Sequence, residues 1–71
     1  MDRYEKAILD YLYKNDKGES YDDIAYYCGV VYTDDYNGRF AVKNSLDRLI
    51  AKNQIILKKI NERDRYFLNN N

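Results

Sequence analysis

Hydrophobic positions along this chain follow first a helical and then a strand-like rhythm. Tyr4, Ile8, Tyr11 and Leu12 fall at i, i+4, i+7 and i+8, which predicts an amphipathic helix over 3–14. Asp2 followed by Glu5 has the form of a capping box, with Asp in the Ser/Thr role. The run "NDKG" ends that helix, and Gly18 supplies the turn. Ser20 with Asp23 makes a second cap. Ile24, Tyr27 and Cys28 share a stripe, and Gly29 suits a left-handed position after a helix end, so a short second helix is expected over 21–28. Val42, Leu46, Leu49 and Ile50 form the clearest stripe and predict a third helix over 38–52, with Asn53 as its terminator. Beyond it, "IILKKI" and "RYFL" are strand-like runs around the polar "NERD", a hairpin over 55–68 with a four-residue loop. The order is helix, helix, helix, hairpin.

Length and composition narrow the chemistry. The 71 residues suit one domain, and a chain this short buries only roughly 60% of its unfolded surface, which leaves little room for a large internal cavity. Histidine is absent and Cys28 is the single cysteine. The commonest general base and metal ligand are therefore missing, and no internal disulfide can form. The carboxylate pairs Asp22/Asp23, Asp34/Asp35 and Glu62/Asp64 have no such helper, and adjacent residues on a helix diverge by about 100°. The expectation is a non-enzyme with no catalytic residues, metal or cofactor, in a reducing, cytoplasmic compartment. No apolar run approaches the ~20 residues that span a bilayer and no signal-peptide pattern opens the chain, so no membrane contact is expected. Asn69 to Asn71 read as a frayed end.

The formal charge is +0 but unevenly laid out. Residues 1–38 carry four basic side chains against nine acidic ones, a net of −5; residues 39–71 carry eight against three, a net of +5. Such polarity suits one surface attracting an anionic polymer while another repels it. The plainer reading is that sequence halves need not be spatial halves.

The element order, with "AVKNSLDRLIAKNQI" leading to "RDRYFL" and "GESYDDIAYYCGV" ahead of it, resembles the winged helix-turn-helix superfamily over nearly the whole chain. The resemblance implies an α+β, mostly α fold: a three-helix bundle with a C-terminal β-hairpin wing, in one domain over 1–71. It also implies a third helix in the major groove of double-stranded DNA, the wing on the phosphate backbone, and a small transcriptional regulator. Carried over by position, Arg39, Phe40, Lys43, Asn44 and Arg48 are the recognition-helix candidates. Lys58, Lys59, Arg63 and Arg65 are the wing candidates. Asn44 has the donor and acceptor that pair with adenine, and the basic side chains suit phosphate oxygens. With the Val42/Leu46/Leu49 stripe inward, Phe40, Asn44, Asp47 and Ala51 point outward and Lys43 and Arg48 toward the sides. Each of these has an ordinary alternative as a solvated surface residue, and Phe40 as a helix-start residue packed on the preceding loop. On the hairpin, adjacent Lys58 and Lys59 point to opposite faces.

The chain departs from the family between Gly29 and Val42, where twelve residues, "VVYTDDYNGRFA", stand. A compact helix-turn-helix uses a turn of ~3–4 residues there, so an inserted loop over about 30–37 is expected. Thr33 could cap a lengthened helix; the preferred alternative starts helix three at an Asn37-Gly38 turn, since that pair is unfavourable inside a helix by about 1 kcal/mol or more. Asp34, Asp35 and Asp47 would repel a phosphate backbone. A rival reading follows: a protein-contact module docking through the acidic-aromatic loop 30–40, without DNA binding. Tyr4, Tyr11, Tyr32, Tyr36, Ile56, Ile60 and Phe67 are the candidate protein-interface residues for a partner or a homodimer.

Overall fold

The computed structural model describes residues 2–30 and 36–70. Three helices, α1 (Arg3–Lys14), α2 (Tyr21–Tyr27) and α3 (Tyr36–Ala51), precede two strands, β1 (Ile55–Ile60) and β2 (Arg63–Leu68). The expected α+β, mostly α architecture is what forms, in the layout of a winged helix. Residues 31–35, including Tyr32, Thr33, Asp34 and Asp35 of the expected loop, lie outside the described residues.

Local chemistry explains most boundaries. The Asp2 carboxylate accepts the Glu5 N–H at 2.7 Å and Ser20 Oγ accepts the Asp23 N–H at 3.2 Å, so both N-termini are capped by their own side chains. The reciprocal half of the first box does not form. Glu5 turns inward to α3 instead of back to the Asp2 backbone. Gly29 (φ 83°) and Asn53 (φ 60°) take the left-handed conformation that stops α2 and α3. Helix α2 ends at Tyr27, one residue short of the expectation, because Cys28 serves as its C-cap. Helix α3 begins at Tyr36 rather than 38, with Asn37 and Gly38 in its first turn. First-turn N–H groups need no intrahelical acceptor, so the interior penalty on glycine is weaker there.

The hairpin differs from its expected form. Register runs Ile55↔Leu68 through Ile60↔Arg63, leaving only Asn61 and Glu62 as the loop. Both have positive φ (52° and 65°), the signature of a two-residue type I′ turn, whose twist matches that of the strands. A short third partner joins on the other edge of β2: Glu19 and Tyr66 exchange backbone hydrogen bonds of 3.0 and 2.8 Å.

The predicted stripes meet in one core. Ile8 and Leu12 from α1, Ile24 and Ala25 from α2, Val30 beyond its end, Val42, Leu46 and Leu49 from α3, Ile55 from β1 and Tyr66 from β2 are all buried. Its edge is clamped by charge. Glu5, only 3% exposed, accepts from Arg48 Nε at 2.9 Å and Lys52 Nζ at 3.0 Å, while Arg48 also bonds Asp2 and Ser45 Oγ. These bonds, led by the one from Arg48, hold the Glu5 carboxyl below its ordinary range.

Candidate functional site

With Val42, Leu46 and Leu49 buried, Phe40, Lys43, Asn44, Asp47 and Ala51 on the other side of α3 are exposed, Phe40 by 57%. Of the residues the sequence nominates here, Asn44 is exposed in the outward row, with no side-chain hydrogen bond among the described residues. The α3 cations are paired. Lys43 bonds Asp47 one turn on at 2.9 Å, and Arg39 bonds Asp22 at 3.2 Å with its guanidinium 5.2 Å from the Tyr21 ring centroid. Arg48 is drawn into the Asp2/Glu5 clamp between α1 and α3. Every cation along α3, Lys52 beyond its end included, thus has a carboxylate partner, which for Arg39, Arg48 and Lys52 comes from the acidic first half of the chain. The exposed i,i+4 pair Lys43–Asp47 is weak, about 0.3–0.5 kcal/mol for pairs of that kind, so Lys43 can exchange it for another anion. Arg48 also holds the fold together and is poorly placed to do so.

The hairpin cations are differently placed. Among the described residues, Lys58, Lys59, Arg63 and Arg65 have no carboxylate within 4.0 Å. Residues opposite each other share a face, so register puts Lys58, Arg63 and Arg65 with Ile56, Ile60 and Phe67 on one side, and Lys59 with Asp64, Leu57 and Tyr66 on the other. The first, outer face contains no acid. Lys58 Nζ sits 5.3 Å from the Phe67 ring centroid, and Arg65 donates to the Gly18 carbonyl at 3.3 Å.

The second face turns toward α3 and closes a groove of about 510 Å³, lined by Tyr21, Arg39, Phe40, Lys43, Leu57, Asp64 and Tyr66. Phe40 therefore borders this groove, with more than half its surface exposed. Leu57 across from it is 44% exposed. Tyr66 is 5% exposed, yet no hydrogen bond among the described residues uses its hydroxyl. Burial pushes that phenol's pKa up, with Lys43 opposing the shift. A second cleft, about 350 Å³, runs past Ser20, Asp23, Ile60, Asn61, Arg63, Asp64 and Arg65. Asp64 borders both.

The proposed apolar patch is only partly assembled. Ile56, Ile60 and Phe67 do share the hairpin's outer face. Tyr11 instead stacks on Tyr27, with centroids 4.4 Å apart and planes 18° off parallel, and Tyr4 lies under Arg3. Tyr36 is the first residue of α3, and Tyr32 is outside the described residues. Apposing two outer faces would set like charges against each other, so that face suits an anionic surface better than a second copy of itself.

Sequence reasoning missed Tyr21, Leu57, Asp64 and Tyr66 as groove residues. Strand alternation could have grouped Leu57 with Lys59, but the pairing with Asp64 and Tyr66 required the two-residue turn. Among the described residues no cluster of three His, Cys, Asp or Glu is placed to hold a metal ion, and no helix is long and apolar enough to cross a membrane. No protein-family model, curated protein or solved structure matches the chain.

Proposed function

We propose that this chain is a winged-helix DNA-binding module of the kind used by small transcriptional regulators, with α3 directed to the major groove and the hairpin to the phosphate backbone. The observation that carries the reading is the set of hairpin cations, Lys58, Lys59, Arg63 and Arg65, without carboxylate partners among the described residues. Buried or paired cations give up little on meeting phosphate, whereas unpaired ones release condensed counterions at each contact. Asn44 supports the reading as the exposed outward amide of α3, and Lys43 adds a phosphate contact on leaving Asp47. Arg48 is assigned to the fold rather than to DNA. The binding is led by the wing.

Titration of a mixed-sequence duplex over a range of salt tests this. With three to four phosphates engaged, log K falls against log salt with a slope of about −3 to −4, and Arg63→Ala/Arg65→Ala lowers the slope by about 2. A flat slope, or a slope the double variant leaves unchanged, contradicts the wing assignment.

A second reading, a protein-contact module without DNA binding, draws on a different observation: the α3 cations are already ion-paired while Phe40 and Leu57 remain exposed beside the groove. Exposed aromatics next to an aliphatic wall are the material of interface anchors. Absence of duplex binding at low salt favours it.

A further inference from the structure

We propose that the groove between α3 and the hairpin accepts a nucleobase that has left its stack, so that the preferred nucleic acid carries an unpaired base beside duplex. This rests on the nucleic-acid reading above and names the class of substrate for the same site.

The lining of the groove matches a base better than the edge of an intact base pair. Phe40, 57% exposed, brings aromatic surface and Leu57, 44% exposed, an aliphatic wall, with Tyr21 and Tyr66 also in the lining, and a base has π-faces to lay against them. Inside a duplex those faces are hidden by the neighbouring pairs. A groove of about 510 Å³ falls within the ~300–1,000 Å³ of clefts that hold small ligands. Its polar groups are mixed, as the edge of a base is mixed. Asp64 can accept from an exocyclic amine such as cytosine N4. Tyr66, nineteen-twentieths buried at 5% exposure, has a hydroxyl that no hydrogen bond among the described residues employs. Among the described residues only Gln54 Oε1 is a buried side-chain atom without a partner, so the Tyr66 hydroxyl itself meets the solvent of the groove and can meet a ligand atom there.

The charges lie where the adjoining phosphates would run. Lys43 and Arg39 are at the α3 wall of the groove. On the other side Asp64 is shared with the second cleft, where Arg63 and Arg65 stand next to the N-terminus of α2. A strand with one base in the groove can thus pass its flanking phosphates across the hairpin toward those two arginines, which have no carboxylate partner among the described residues.

The test compares three fluorescein-labelled DNAs of one sequence by anisotropy: fully paired, with a single bulged base, and with a bulged abasic site. The bulged base is expected to bind about tenfold tighter than the paired duplex, within the effect of one stacked base, and the abasic bulge to lose that gain. Phe40→Ala is expected to bring the bulged DNA down to the paired one, its loss on bulged DNA exceeding its loss on the paired duplex by about tenfold. Equal affinities for paired and bulged DNA overturn the inference but leave wing-led duplex binding standing. Equal affinities for base and abasic bulges, or a uniform loss in Phe40→Ala, overturn it as well. If no DNA binds at low salt, both readings fall. Groove resonances that move with an acidic-aromatic peptide, or with protein concentration alone, while no bulged DNA moves them, assign the site to that occupant instead.

Discussion

Glu5 and Arg48 stand 43 residues apart in sequence and 2.9 Å apart in space, the carboxylate 3% exposed and the guanidinium half in water. This pair joins the start of α1 to the last turns of α3. Arg48 is thereby a tie in the scaffold, although its position on α3 nominates it for DNA under the winged-helix resemblance. The same bond sets a pH dependence. Arg48 and then Lys52 lower the Glu5 pKa below its ordinary 4.5, and the Glu5 N–H lowers Asp2 below 3.8. Groups with depressed folded values stabilise the protein above their unfolded pKa, and that contribution is lost as pH falls through the folded one. The wild type should therefore lose Tm steeply below about pH 4.5. Glu5→Gln should start lower at pH 7 and fall less steeply over that window. Parallel Tm-against-pH curves would contradict the clamp.

Gly18 should resist substitution. Its φ is 85°, and a Cβ there would lie 2.6 Å from two atoms of the Phe67 ring. Gly18→Ala combines left-handed strain with a clash at the point where β2 meets the turn, a loss of about 1–3 kcal/mol. Urea unfolding measures it, and a neutral result would mean that Phe67 packs elsewhere.

The hairpin tip should accept improvement. Glu62 holds φ 65° without being glycine, a conformation that costs ordinary residues about 1–2 kcal/mol, and Asn-Gly is the favoured type I′ pair. Glu62→Gly is expected to raise stability by about 1 kcal/mol while removing an acid from the wing. Both thermal stability and duplex affinity should rise.

Asp47 should act as a brake on binding. It is exposed on the outward row of α3 and holds Lys43 at 2.9 Å. Asp47→Asn removes one repulsive charge and releases one cation. The gain in duplex affinity is on the order of fivefold, from about 1 kcal/mol for unit charges near 4 Å in water. Unchanged affinity would place α3 away from the nucleic acid.

Much of this fold was legible because its signals are local. The stripe from Tyr4 to Leu12 and the Asp2 cap give both ends of α1, and the Val42–Ile50 stripe gives the inner face of α3 and therefore its exposed side. What stayed hidden depends on residues distant in sequence or on unusual backbone. Asn61-Glu62 lacks the glycine that advertises a two-residue turn, so the strand register, and with it the division of Lys58, Arg63 and Arg65 from Lys59, could not be fixed. The Glu19–Tyr66 pairing is a single bridge and has no period. Nor does a helical projection disclose that Arg39 meets Asp22 or that Arg48 meets Glu5, since both depend on how α1 and α2 pack against α3.

The most direct test of the central claim, that a polyanion is held along the hairpin and the exposed side of α3, is an amide chemical-shift map of the protein titrated with short duplex DNA at low salt. Shifts concentrated over residues 58–65 and 40–47, with the Tyr11–Tyr27 side of α1 and α2 silent, are the predicted result. Shifts confined to that tyrosine side, or none at all, would contradict it.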